Sequence, residues 1–477
     1  MPGLFSALNA SSESLRAFER ALEVTQNNIG NASTPGFAAQ VSQFQPLPFS
    51  PMDGPSGGVV FSGTQSLRDE YAERFVQQQN SSLGSADQLS AALSSLQGIF
   101  DLSGESGVSG AMNDLLSSFS ALSQNPSDAS ARQAVILDAE NLAAAFQGAA
   151  SAVTQASGDA DQQIDSVVSE INRIGANLQS LNKQRLASPH PDPNLDASIH
   201  TALEDLSELV NFTTSFSADG TVNVLIGGQS PLVLGANVYP LNAAAATVSP
   251  AAPYPQAPPN RTIIDASGND ITGQIKSGRL GGALEMRNSI VPGLVGSPDQ
   301  AGSLNQLARA FVDRVNQLLT SGVTTADGTS VAGLPLFQYS TSGDTSVART
   351  LSTTGITGAQ LAPVDPGPPL SAGGIAAAIG NLTTSSNPAD QINGVSYTAY
   401  FGQIASAFGR QLADADSAKT IQTQAVAQAR SLRSEASGVS LDEEAVNLMS
   451  FQKAYQATSR LISILNELTQ TTIDILR

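Results

Sequence analysis

The residues best suited to chemistry are few. The chain has two histidines, His190 and His200, and both stand in one stretch with Asp192 and Asp196. Imidazole nitrogens and carboxylate oxygens are the donor set of a zinc or similar metal site. The spacing argues against one here. Pro189, Pro191 and Pro193 hold the first pair in extended chain, and no carboxylate–histidine helix motif frames them. We read a solvated surface loop. Asp101-Leu102-Ser103-Gly104-Glu105-Ser106-Gly107 alternates oxygen-bearing side chains but lacks the spacing and closing glutamate of an EF-hand. It reads as a solvated turn. Asp442-Glu443-Glu444 has the carboxylates for acid–base work. In the first turn of a helix, those charges instead favour the positive end of its dipole. There is no cysteine, hence no thiolate nucleophile, disulfide or thiolate metal site. No P-loop appears, and no Gly-x-Gly-x-x-Gly joins a strand to a helix. The sequence predicts no enzyme, no catalytic residue, no cofactor and no metal.

The elements around these groups carry more information. From Ser437 to Arg477 the chain reads as one helix, opened by a capping-box pattern at Ser440 and Glu443. Leu441, Leu448, Tyr455, Ile462 and Leu476 fall on sevenfold spacing, and Phe451 and Leu465 fill alternate turns. Ala454, Leu461, Leu468 and Ile475 widen this stripe, while Lys453, Arg460, Glu467 and Asp474 mark the opposite face. Such a helix needs a partner. The other end of the chain offers one: Leu8, Leu15, Leu22 and Ile29 repeat every seven, with Leu4 and Phe18 between them. Gly30 suits its C-terminus, and Thr34-Pro35-Gly36 a turn.

Asn27-Asn28-Ile29 and Asn31-Ala32-Ser33-Thr34-Pro35-Gly36-Phe37 resemble the N-terminal signature of the flagellar axial proteins, the rod, hook and hook-associated proteins. Phe37 stands where that family usually has tyrosine, and Ala38-Ala39-Gln40 where Ser-Arg-Gln is expected. Ser437-Gly438-Val439-Ser440-Leu441-Asp442-Glu443-Glu444-Ala445, running to Phe451-Gln452-Lys453-Ala454-Tyr455-Gln456-Ala457, resembles their C-terminal signature. Its continuation into Leu461-Ile462-Ser463 is most similar to the hook–filament junction members. Pro126, Arg132 and Val135-Ile136 match a further pattern of those members.

The resemblance implies a structural subunit that polymerises through its terminal helices, in a ring or helical layer with copies of itself. The hook protein would lie on one side and the next hook-associated protein on the other. An export chaperone would hold the C-terminal helix, and the type III apparatus would carry the chain to the extracellular hook–filament junction. The packing seam this reading selects is Leu8, Leu15, Leu22, Ile29, Leu448, Phe451, Tyr455, Ile462 and Leu465. The alternatives are a hook or distal rod subunit, or an exported coiled-coil adhesin.

Composition is consistent with this. Net charge is −19, which disfavours nucleic acid and anionic membranes as partners. Charged residues make up 13%, leaving a surface that tolerates close packing with copies of itself. No apolar run approaches the roughly 20 residues of a membrane span, so no membrane insertion is expected. Met1-Pro2-Gly3-Leu4-Phe5 has no basic region and opens no cleavable signal.

The fold class is α+β and multidomain, with terminal coiled-coil helices and a long helical body interrupted by an antiparallel β domain. Residues 1–40 form the first axial segment, which pairs with 437–477, and 41–64 an extended connector acting as a hinge. Residues 65–210 are helical body, broken near Gly84 and again near Gly158. Along its long helix Ala139, Leu142, Phe146, Ala149, Val153, Ala156 and Ala160 keep one spacing. After a one-residue slip, Ile164, Val167, Ile171, Ile174, Leu178 and Leu181 resume it. Residues 211–280 alternate as strands, with turns at Asp219-Gly220, Gly227-Gly228 and Gly268-Asn269. Residues 281–320 return to helix, 321–372 form a loop-rich or small β insert, and 373–436 complete the body. The termini would meet at one end, far from the middle of the sequence.

Overall fold

The computed structural model describes residues 2–47, 57–100, 106–188, 192–325, 330–340 and 344–475. Helix α1 (Pro2–Asn31) runs one residue past Gly30 and ends in a turn where Gly36 takes a φ of +70°. Residues 40–66 are more than a connector. Strands β1 (Gln40–Pro46) and β2 (Val59–Ser66) pair antiparallel with a bulge between Gln43 and Phe44, and they pack on α1. The burial of β1 alternates with period two, and its one proline, Pro46, is its last residue. Pro48, Pro51 and Pro55 lie outside the described residues.

Helix α2 (Glu70–Ser94) is capped by Asp69, whose carboxylate accepts from the amides of Tyr71 and Ala72. It passes through Gly84 without a break. That glycine serves packing: a Cβ there would lie 2.2 Å from the carbonyl oxygen of Glu208. Helix α3 (Gly107–Gln124) stops before Pro126, and Asp128 caps α4 (Ala129–Ala187), a single helix of 59 residues. Gly158 sits inside α4 without ending it, since nothing crowds its exposed face.

The one-residue slip in α4 marks a change of partner. As far as Ala160 its apolar face belongs to one core, and from Ile164 onward to a second. Helix α5 (Pro193–Leu209) and a four-stranded antiparallel sheet cover the second half. The sheet runs β3 (Phe212–Phe216), β4 (Val222–Ile226), β5 (Ser230–Leu234), β6 (Asn237–Val238) in that spatial order. A hairpin of β7 (Asn242–Ala245) and β8 (Arg261–Ile264) follows. Val222, Val224 and Ile226 turn fully inward onto α4, so the β region is a layer on the body. Asn182 of α4 fastens it, exchanging hydrogen bonds with the backbone of Val222 at 2.8 and 2.9 Å.

Residues 281–320 are broken where one helix was expected. α6 (Gly278–Glu285) passes through a wide turn at Met286–Ile290 into α7 (Val291–Val295). The chain then bends through Gly296 and Gly302, both at positive φ, into α8 (Ser303–Ser321). Residues 321–372 are no separate insert. β9 (Phe337–Gln338), α9 (Val347–Thr350) and β10 (Ser352–Thr353) send Phe337, Val347 and Ala348 into the first core. Arg132 ties this region down: its buried guanidinium donates to the carbonyls of Pro126, Thr324, Gly358 and Leu361 at 2.7–3.0 Å. α10 (Gly374–Gly380) and the first half of α11 (Tyr397–Ser437) complete the core, where Phe100 stacks on Phe408 at 4.5 Å. α12 (Leu441–Ile475) closes the chain.

Candidate assembly interface of the terminal helices

α12 begins four residues later than the sequence suggests, because the chain breaks after Ser437. Ser440 Oγ accepts from the amide of Glu443 at 3.4 Å, which is the serine half of the expected capping box. Asn28 sets the direction of the pair. Its Nδ2 donates at 2.8 Å both to Glu444 Oε1 and to the carbonyl of Gln40, and its Oδ1 accepts from the Gln40 amide at 3.0 Å. The start of α12 therefore lies against the end of α1, and the helices run antiparallel. Asn28 is fully buried, and the amide it uses to read β1 is the one that holds α12.

The break before α12 is held as tightly. The carbonyl of Ser437 accepts from Ala39 and its Oγ from the amide of Asp69, both at 2.9 Å. Ala38 and Ala39 are buried here. Phe44 of β1 stands between Phe18 of α1 and Phe451 of α12, with ring centroids 6.1 and 5.9 Å away.

Besides the buried Glu444, the covered positions of α12 run Leu448, Phe451, Tyr455, Thr458, Ile462, Leu465, Thr469 and Thr472, half-buried at alternating three- and four-residue steps, with Ala454 half-buried beside them. Five of these are the C-terminal residues of the expected seam. On α1 the buried face is Ala10, Ser14, Ala17, Ala21, Thr25 and Asn28. The small residues let the hairpin approach, and Ser14 Oγ accepts from the amide of Val59 at 3.0 Å. Leu8, Leu15 and Leu22 are half-buried beside that face, and Ile29 is 38% exposed. A second stripe of α12 is open: Val446, Met449, Leu461, Ile464, Leu468 and Ile475 are 48–79% exposed. Leu476 lies outside the described residues.

The terminal unit is clamped to the body by buried charge. Arg68 donates to Glu73 Oε1 at 2.5 Å, to Asp196 Oδ2 at 2.9 Å and to the carbonyl of Gly36 at 2.6 Å. Glu73 also meets Arg433 at 3.1 Å, and Arg433 meets Glu204 at 2.6 Å. Burial alone would raise the Glu204 carboxyl, but Arg433 and Arg430 more than offset it and hold it below its ordinary value. Thr201 Oγ1 donates to the carbonyl of Pro35 at 3.2 Å. α5, at the end of the first stretch of helical body, thus touches the terminal unit.

The four residues weighed as metal donors are spent elsewhere or undescribed. Asp192 caps α5 by accepting from Asn194 and Leu195. Asp196 is held by Arg68. His200 is buried, its ring stacked on Phe216 at 5.6 Å. Burial, then the nearby Arg68 charge, push its pKa down to about 4. His190 and residues 101–105 of the other loop lie outside the described residues. Among the described residues no group of three or more His, Asp or Glu could hold a metal ion. Reasoning from the sequence missed Arg68, Glu73, Glu204 and Arg433. Their contacts join distant segments, and no local pattern marks them.

A family profile described as the flagellar hook-associated protein FlgK helical domain matches residues 93–337, more than half of the chain. The chain belongs to the FlgK family of flagellar hook-associated proteins. Its C-terminal segment, residues 430–475, also matches the C-terminal family of flagellar basal body rod FlgEFG proteins. Flagellar hook-associated protein 1 of Bacillus subtilis is 26% identical over 521 residues, covering 99% of each chain. Its Salmonella typhimurium counterpart is 29% identical over 345 residues, covering 68% of this chain and 58% of that one. The structure of the flagellar hook junction protein FlgK from Burkholderia pseudomallei aligns with a TM-score of 0.61 at 15% identity, over 75% of this chain and 99% of that one. That likeness shows the FlgK α+β fold. Membership in the FlgK family makes the chain a structural protein of the flagellum, one that assembles with other axial components. Among the described residues no helix is long and apolar enough to cross a membrane.

Proposed function

We propose that this chain is a non-catalytic subunit joining hook to filament outside the cell, polymerising through its terminal helices. The observation that carries the reading is the open stripe of α12, from Val446 to Ile475. Fully burying a large aliphatic side chain is worth about 1.5–3 kcal/mol, so the stripe is a substantial reserve of association energy. In this reading Leu448, Phe451, Tyr455, Ile462 and Leu465 pair α12 with α1, and that pair then packs against neighbouring copies. Leu8, Leu15, Leu22 and Ile29 flank the pair and complete the contact. Hook protein lies on one side and the next hook-associated protein on the other. Before assembly an export chaperone shields α12, and the type III apparatus exports the chain. The long helix α4 favours a junction subunit over a hook or rod subunit, whose middle regions are mostly β.

Immunogold microscopy of flagellated cells with antibody against residues 211–280 tests the location. A single cluster where hook meets filament is expected; label along the hook, at the base or over the cell surface would overturn it. Leu448→Asp and Ile462→Asp test the mechanism. Each should leave the body folded and abolish incorporation, and normal assembly of either variant would refute it.

A further inference from the structure

β3 is an edge strand, bonded to β4 alone. Its alternation can be read from the flanking bonds. Asn211 accepts from Gly227 at 3.0 Å and Ser217 donates to Thr221 at 2.9 Å, so odd-numbered residues turn their backbone toward β4. The N–H and C=O groups of Phe212, Thr214 and Phe216 therefore point away from the sheet. Among the described residues these groups have no hydrogen-bond partner. Those of Phe212 and Thr214 open on a cleft of about 420 Å³ whose far wall is α2. Residues 210–214 line it consecutively, which a strand does only by its edge, since successive side chains point to opposite faces.

The α2 wall is polar. The side chains of Gln77 and Gln78 make no hydrogen bond among the described residues, and Gln78 is exposed. The Arg74 guanidinium lies 4.8 Å from the Tyr71 ring centroid, and its Nε donates to the Glu70 carbonyl at 3.1 Å. No described carboxylate reaches ion-pair distance of it. An unpaired backbone row facing unbonded side-chain amides and a guanidinium without an ion-pair partner is the chemistry of strand addition. We infer that the cleft takes an extended segment of a neighbouring axial subunit, which pairs with β3 and places an acidic side chain against Arg74. With 41 acidic against 22 basic residues in this chain, a carboxylate is the complement that a subunit of like composition would supply. The inference rests on the assembly reading and adds a second contact on the body, remote in sequence from α1 and α12.

A photo-reactive residue at Gln78, irradiated in intact flagella, tests it. The expected product is a covalent adduct with an axial subunit, mapped by mass spectrometry to an extended, Asp- or Glu-bearing segment. Thr214→Pro should abolish the adduct. It deletes an outward N–H while sparing the ladder bonds at 213 and 215, and circular dichroism of the purified chain checks that folding is kept. Arg74→Glu should also lose the adduct and Arg74→Lys keep it. Flagella that contain the chain but give no adduct, an adduct within the same chain, or one insensitive to both Thr214→Pro and Arg74→Glu would overturn the docking site and leave the terminal-helix reading intact. Absence of the chain from flagella would overturn both.

Discussion

Arg68 and Glu73 form an ion pair at 2.5 Å with side chains only 6% and 4% exposed. The pair sits where β2 passes into α2, and Arg68 reaches from there to the turn after α1 and to α5. This is the joint between the terminal unit and the body, and it is built as a clamp.

Removing Arg68 leaves the buried Glu73 with Arg433 alone, at 3.1 Å, and takes from Asp196 its guanidinium partner; breaking a buried pair costs up to about 3–5 kcal/mol. Arg68→Met should therefore destabilise the chain strongly, while the double variant Arg68→Met with Glu73→Leu should recover much of the loss. Urea unfolding of the two single variants and the double variant measures this. Additive losses would show that the pair is not coupled.

His200 gives the clamp a pH dependence. Its folded pKa, about 4, lies below the ordinary 6.5, so the unfolded chain binds its proton first as pH falls. Its contribution is fully present above pH 6.5 and is lost progressively down to pH 4. The drop attributable to it is about 3 kcal/mol at most. Stability measured by urea titration across that window should fall less steeply in His200→Gln than in the parent chain.

Two glycines inside helices should respond oppositely to alanine. At Gly84 the new methyl meets the Glu208 carbonyl oxygen at 2.2 Å, and Gly84→Ala should cost about 1–3 kcal/mol through overpacking. At Gly158 nothing lies within 4 Å, and Gly158→Ala should stabilise α4 by about 0.5–1 kcal/mol. Thermal melts of the two variants should move in opposite directions.

Asn28→Leu removes three hydrogen bonds and leaves the Gln40 backbone and Glu444 without their partner. The expected loss is about 3 kcal/mol, concentrated in the terminal unit. Hydrogen exchange should quicken in α12 and β1 while α4 stays protected.

Much of this was legible because it is periodic. The seam of α12, the slip between Ala160 and Ile164 and the turns at Gly220 and Gly227 all follow from spacings of two, three and four residues. The slip could be seen, but its cause could not, since two cores on one helix leave the same trace as a hairpin. Gly84 was misread because a glycine placed for close packing looks like a helix breaker. The prolines of residues 41–64 hid a hairpin whose pairing strands lie to either side of them. The face of α1 that is buried within the single chain was hidden for a similar reason. Leucines carry the visible pattern, but Ala10, Ala17 and Ala21 make the closest approach. The clamp was invisible, because Arg68, Asp196 and Arg433 become neighbours only in the folded chain.

The two cores along α4 differ in how much chain they need. The second is drawn from one contiguous stretch, Ile164 to Leu284, and can close as soon as that stretch is available. The first joins Leu93–Ala160 to segments as distant as Ala415, so its contact order is high and its closure slow. A chain emerging N-terminus first would hold Phe100 without its ring partners until Phe401 and Phe408 follow. The second core can therefore close on contiguous chain, whereas the first waits for segments from Leu93 to Ala415 to meet.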